Sequence, residues 1–293
     1  MEALQKRLEA LERQTEELKH HTQAIERRLG WWRRMAFGLG VLGFLALPLA
    51  SVKAQVGASL EQRVEQLEYK LAHVTSGPDD ITISGANLRI VNGLGATDTV
   101  NGLGNLIVGY NEHRPSPPFT NTRTGSHNVI VGTQHNFSSF GGLVIGQFNE
   151  ISGPFASVTG GTRNTASALN ASVSGGNSNS ATFRDASVSG GMNNTASGFG
   201  SSVSGGVSNT ATGFPSSVAP WGSSVSGGVA NLANQQYSSV SGGGNNTASG
   251  GGASVSGGEG NVASGMRASV SGGLNRTAPM DNNWAAGALF QPN

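Results

Sequence analysis

The chain has 293 residues, with 45 Gly, 12% charged residues, 6% aromatic residues, a formal net charge of +1 and no Cys. Near-neutral charge excludes a strong global attraction to nucleic acid or anionic lipid, so nucleic acid is not an expected partner. The missing Cys excludes disulfide frameworks, thiolate metal sites and cysteine nucleophiles. The composition is also uneven: residues 1–78 hold 11 of the 18 Lys+Arg and 9 of the 17 Asp+Glu, whereas residues 79–293 carry 15 charged residues against 39 Gly.

Residues 1–29 read as a coiled coil. Leu4, Leu8, Leu11, Thr15, Leu18, Thr22, Ile25 and Leu29 alternate at spacings of 4 and 3, an unbroken a/d seam. Arg7-Leu8-Glu9-Ala10-Leu11-Glu12 matches the trimeric pattern R-h-x-x-h-E, in which Arg7 and Glu12 pair between adjacent helices across Leu8 and Leu11.

Trp31-Trp32-Arg33-Arg34 precede an apolar stretch over 35–52. Those 18 residues span about 27 Å as a helix, enough for a bilayer core. The Trp pair suits an interfacial belt, and the Arg pair predicts a cytoplasmic N-terminus. The segment 30–54 is therefore expected to be a transmembrane signal anchor. Val52-Lys53-Ala54 also resembles a small-residue cleavage site, so a cleaved signal peptide is the rival reading. Either way, everything after residue 55 is expected outside the cytoplasm, in the periplasm or at the cell surface.

A second heptad run, Leu60, Val64, Leu67, Leu71 and Val74, predicts a coiled-coil stalk over 56–76, stopped by Gly77-Pro78. Arg63-Val64-Glu65-Gln66-Leu67-Glu68 repeats R-h-x-x-h-E, with Arg63 and Glu68 flanking Val64 and Leu67. Both helices point to a homotrimer.

From about residue 80 the apolar period lengthens to 15. Val158, Val173, Val188, Val203 and Val218 form one series, and Val225, Val240, Val255 and Val270 a second, offset by the seven residues from Val218 to Ser224. Asn164, Asn179, Asn194 and Asn209, then Asn231, Asn246 and Asn261, keep the same beat. Self-similarity at a short fixed period is the signature of a solenoid. Each S-V-S and T-A-S stretch is expected to be a short strand with Val or Ala inward and Ser or Thr outward. Gly supplies positive-φ turns, and the stacked Asn residues tie those turns together. The expected fold is mostly β, a parallel solenoid of about 15-residue coils over 79–278, preceded by the coiled-coil helices and the membrane segment. Residues 279–293 form a C-terminal cap in which Trp284, Leu289 and Phe290 close the last coil.

One Val and one Ala per coil make a thin core, so side-by-side packing of several rods is expected. The early triplets Leu106-Ile107-Val108, Val129-Ile130-Val131 and Leu143-Val144-Ile145 are apolar on both faces and call for cover on both. The coils nearest the stalk are therefore expected to meet other chains through a dry interface.

The alternating S-V-x-G-G and N-x-A-x-G segments on this beat resemble the head repeats of trimeric autotransporter adhesins (YadA-like heads). The similarity covers about residues 80–278, and the stalk at 58–76 fits it. The resemblance implies a left-handed parallel β-roll, three of which pack above a coiled-coil stalk, and a structural or adhesive role against an unidentified surface or matrix ligand. It departs from the family at Asp281–Asn293, which is too short for the C-terminal β-barrel anchor, so the N-terminal helical region is expected to anchor the chain instead. No binding residue maps across.

No catalytic constellation stands out, and no cofactor or metal is expected. His113, His127 and His135 and the scattered acids do not form a Ser/His/Asp arrangement, and no G-x-S-x-G elbow lies between a strand and a helix. Metal binding by His127 and His135 competes with plain solvation in loops. The chain is therefore not expected to be an enzyme. Two interruptions, Glu112–Gly125 and 218–224, should loop outward without shifting the repeat phase, and the second projects Trp221 as a candidate binding anchor unless it folds back on the rod. The alternative functions are an ice- or surface-binding β-solenoid, which calls for regular Thr-x-Thr pairs, and a carbohydrate-active trimeric β-rod, which calls for clustered carboxylates.

Overall fold

The computed structural model describes residues 62–213 and 221–287. The expected N-terminal coiled coil, the segment 30–54, the start of the stalk, Val218, Leu289 and Phe290 lie outside the described residues. The chain divides into two units, one ending at Leu88 and the other beginning at Arg89. Among the described residues no helix is long and apolar enough to cross a membrane.

In the first unit residues 62–71 are helical, and the seam residues Val64, Leu67 and Leu71 are exposed on the single chain. The helix stops earlier than the heptad pattern implies. Val74–Ser76 is a strand, paired antiparallel with Ile81–Ile83. Gly77-Pro78 therefore forms the turn of a hairpin instead of closing a helix, with the Gly77 amide donating to the Asp80 carbonyl and carboxylate. Val74 and Thr75 are β-branched and face Ile-Thr-Ile, which favours a pleated pair over a last helical turn. The His73 ring donates from Nδ1 to the Ser84 carbonyl and braces the hairpin base.

The second unit is a parallel β-solenoid with coils of about 15 residues. A twelve-stranded sheet, the long sheet, runs from Leu106–Val108 through Val129–Thr133, Leu143–Gln147 and the successive Ser-Val pairs to Trp284–Ala285. A ten-stranded sheet, the short sheet, runs from Asn136–Phe137 through the Thr-Ala pairs to Thr277–Ala278. Twelve strands at about 4.8 Å spacing make a rod of about 53 Å. The regular sheets begin later than residue 79 and continue past 278, because Ile81–Ile83 belongs to the hairpin and Trp284–Ala285 adds a further rung.

Between the sheets lies a one-residue-thick core. Val158, Val173, Val188, Val203, Val240, Val255 and Val270 are fully buried and stack in register, with Val225 between Val203 and Val240. Ala166, Ala181, Ala196, Ala211, Ala233, Ala248, Ala263 and Ala278 oppose them from the short sheet. A third inward column at the end of each coil, Ala156, Ala171, Ala186, Ser201, Ser223, Ser238, Ala253 and Ala268, is equally buried. In the early coils Ile130, Phe137 and Ile151 are larger than the Val and Ala of the later rungs, and Val144 continues the Val column.

The in-register pairing of Val203 with Val225 corrects the position of the second interruption. The inserted residues precede Ser223, and the rung is built on Val225, not on Val218. Ser216-Ser217-Val218 copies half of the repeat, but Pro220-Trp221 follows where the turn needs Gly-Gly.

Gly is not the only residue carrying positive φ. The residue before each ladder Asn is left-handed whether it is Arg163, Ser178, Asn193, Ser208, Ala230 or Asn245. Gly is required two residues earlier. At Gly176, with φ of +85°, a Cβ would run into the Gly191 carbonyl oxygen and Asn179 Nδ2, so the next coil can approach only a bare backbone.

Candidate interface

On the long sheet, side chains flanking each core residue point away from the core. In the first three strands these positions hold Leu106 and Val108, Val129 and Val131, then Leu143 and Ile145. Leu106, Val108 and Val129 are 41%, 51% and 37% exposed, and the other three are half-buried. Nearby in the chain, Val91, Leu94, Val100, Leu103 and Tyr110 are exposed as well. From Ser157 to Ser271 the same positions carry Ser or Thr, as in Ser172/Ser174 and Ser187/Ser189. No outward position of the long sheet from Leu106 to Ser271 is charged. On the long sheet, aliphatic outward side chains are therefore confined to the first three strands.

A ladder of polar side chains sets the spacing behind this face. Asn164, Asn179, Asn194, Asn209, Asn231, Asn246 and Asn261 are buried. Each carboxamide oxygen accepts the backbone N–H of the next ladder residue; Asn194 Oδ1, for example, accepts from Asn209 at 2.9 Å. Each Nδ2 donates to a carbonyl of its own turn and to one of the next coil, as Asn194 does to Gly190 (2.8 Å) and Gly206 (2.9 Å). Every polar atom of the carboxamide is thus used, which a buried amide requires. The ladder continues below the expected set through Asn149, His135 and Asn111, and its upper end accepts the Arg276 N–H on Asn261 Oδ1.

The 112–125 interruption lies against the rod instead of looping freely outward. Arg114 is 9% exposed, and its guanidinium donates to the carbonyls of Gln134, Phe148 and Asn149 at 2.8–2.9 Å. It also lies 3.5 Å from the Glu150 carboxylate and over the Phe148 ring. Burial pushes its pKa down, and Glu150 opposes that shift. Phe119 packs edge-on to Phe148. Thr133 donates to Glu112 and holds that carboxyl below its ordinary range. Arg114 was not singled out by sequence, where it reads as one Arg in a Pro-rich loop.

At the second interruption Trp221 stacks on Tyr237, with ring centroids 5.3 Å apart and planes at 25°. The indole lies on the rod and remains 39% exposed. Beneath it, Ser201 and Ser223 replace the usual Ala of the third core column. Ser223 Oγ accepts the Gly213 N–H and Ser201 Oγ accepts the Ser223 N–H, so buried hydroxyls satisfy the displaced backbone. Trp284 occupies an outward position of the last rung, is 68% exposed and donates from Nε1 to Ser271 Oγ, so it does not close the end of the core.

Of the trimer-pattern residues, Arg7, Leu8, Leu11 and Glu12 lie outside the described residues, whereas Arg63, Val64, Leu67 and Glu68 are exposed on the helical segment. His127 and His135 are not brought together on a metal. His127 accepts the Asn92 N–H and donates to the Thr97 carbonyl, and His135 occupies the ladder. Among the described residues no group of three His, Cys, Asp or Glu is placed to hold a metal ion. No protein-family model matches the sequence, and no curated protein matches it.

Proposed function

We propose that the chain is a membrane-anchored, homotrimeric extracytoplasmic fibre with a structural or adhesive role. The observation that carries this reading is the outward apolar face of the first three rungs, Leu106, Val108, Val129, Val131, Leu143 and Ile145, which a lone rod leaves in water. A copy number of three comes from the two R-h-x-x-h-E patterns, Arg7–Glu12 and Arg63–Glu68. The apolar stretch 35–52, led by the Trp and Arg pairs, supports an anchor that leaves the solenoid outside the cytoplasm. The resemblance to adhesin heads supplies the left-handed β-roll and the adhesive role. In this reading the distal Ser and Thr ranks, uncharged and regularly spaced, are the surface offered to the exterior.

Protease treatment of intact bacterial cells and of spheroplasts tests the topology. Cleavage near residue 60 on intact cells supports a surface fibre, and cleavage only in spheroplasts supports a periplasmic rod. Protection in both, with cleavage only after lysis, overturns the reading.

A further inference from the structure

His135 is the one ionisable side chain among the described ladder residues from Asn111 to Asn261. It is fully buried, and its surroundings fix its protonation state. The Asn149 backbone N–H can only donate, so Nδ1, at 3.3 Å, must be bare and accept. The Val131 carbonyl can only accept, so Nε2, at 3.1 Å, must carry the hydrogen. The His135 backbone N–H donates in turn to Asn111 Oδ1 at 3.0 Å. A neutral ring thus does the work of a ladder Asn, accepting from the next coil and donating to the carbonyl four residues back. Protonation would turn Nδ1 into a donor facing a donor and would place a charge on a fully buried ring.

We propose that His135 is an acid-sensitive catch, whose protonation cuts the ladder between the coil of Val131 and the coil of Ile145 and loosens the end of the rod that bears the apolar face. The charged groups around it reinforce this. Arg114 holds the carbonyls of Gln134, Phe148 and Asn149 beside the ring, and Glu150 pairs with that guanidinium and lies within reach of the Asn136 amide. Arg163 also lies over the Phe148 ring. Glu112 is engaged by Thr133 and lies beside Arg123, which donates to its carbonyl. No carboxylate contacts the imidazole; backbone contacts at Val131, Asn149 and Gly146 favour the charged ring, and burial outweighs them. Burial, aided by Arg114, holds the His135 pKa below its usual 6.5.

The sign follows from linkage. A histidine that is harder to protonate in the folded chain than in the unfolded one supports the fold above about pH 6.5, and that support is lost as pH falls from there toward the folded-state pKa. The distal rungs, whose ladder is all Asn, have no such dependence. The consequence for chain–chain contact rests on the trimer reading; the loosening of the coils does not.

The test is hydrogen exchange on the full chain in detergent at pH 7.5 and 5.0, corrected for intrinsic exchange, for peptides within 129–151 and 157–212. Protection over 129–151 is expected to fall about tenfold for each pH unit from 6.5 down to the ring pKa, to at most about thirtyfold at pH 5.0, while 157–212 holds. H135N, which puts the common ladder residue in place and leaves Glu112, Glu150 and Arg114 untouched, is expected to abolish the acid response. An unchanged wild type over 129–151, or an H135N protein that responds equally, overturns the proposal. If H135N does not fold at pH 7.5, NMR titration of the wild-type imidazole decides: protonation at or above pH 6.5 overturns it. The particle mass at pH 7.5 is read in the same samples. A monomer there defeats the trimer reading and leaves the exchange result to judge His135.

Discussion

Removing one ladder carboxamide measures what the ladder contributes. In Asn194→Ala the chain loses two donations, to Gly190 and Gly206, and the acceptor for the Asn209 N–H. The Gly206 carbonyl keeps the Met192 N–H, but no other partner is recorded for the Asn209 amide. At about 1 kcal/mol for each lost donation and about 1–3 kcal/mol for the orphaned buried N–H, the expected loss is about 3–5 kcal/mol. Because coils contact only their neighbours, the damage should be local, with Asn209 and the flanking amides exchanging faster by two orders of magnitude or more. Urea unfolding and residue-resolved exchange measure both quantities. Ser189→Ala, at an exposed outward position, is the control and should stay within about 0.5 kcal/mol. A loss below about 1 kcal/mol for Asn194→Ala would refute the ladder as a structural element.

The paired glycines should behave differently, although sequence treats them alike. Gly176→Ala drives a Cβ into Gly191 and Asn179 and should lower the melting temperature by several degrees, whereas Gly175→Ala meets open space and should shift it by about 2 °C or less. Equal shifts would contradict the geometry. Arg114→Met keeps an unbranched apolar stem but strips three carbonyls of a charged donor. Proteolytic nicking within 112–125 should rise about tenfold or more at neutral pH, with Arg114→Lys recovering only part because a compact ammonium cannot match the guanidinium fork. Unchanged nicking in Arg114→Met would show that the loop is held by other contacts.

What was legible in the chain follows from repetition. Val158 to Val270 and Asn164 to Asn261 each return to one environment every coil, so a fixed spacing exposes both ladders before any coordinate is known. The third core column is hidden because it uses Ala and Ser, which also fill surface positions. His135 is hidden because its residue type breaks the Asn series in a region where coils are 14 residues long. The pattern Gly-x-x-Asn at Gly146 and Gly161, extended to Gly132-Thr133-Gln134-His135, would have found it. Val218 misled because periodicity was weighed without the turn chemistry that follows it. Val74 misled because a heptad position can also be a strand residue when β-branched neighbours face a second apolar triplet four residues on. Arg114 became visible only once folding brought three carbonyls to one corner.

The central claim is that the apolar end of the rod is covered by copies of the same chain. The direct measurement is the mass of the full-length protein in detergent at neutral pH, alongside the double variant Val131→Ser and Ile145→Ser. Three chains per particle in the wild type and release of monomers in the variant are the predicted results. A monomeric wild type, or a variant that remains an unchanged trimer, would contradict the claim.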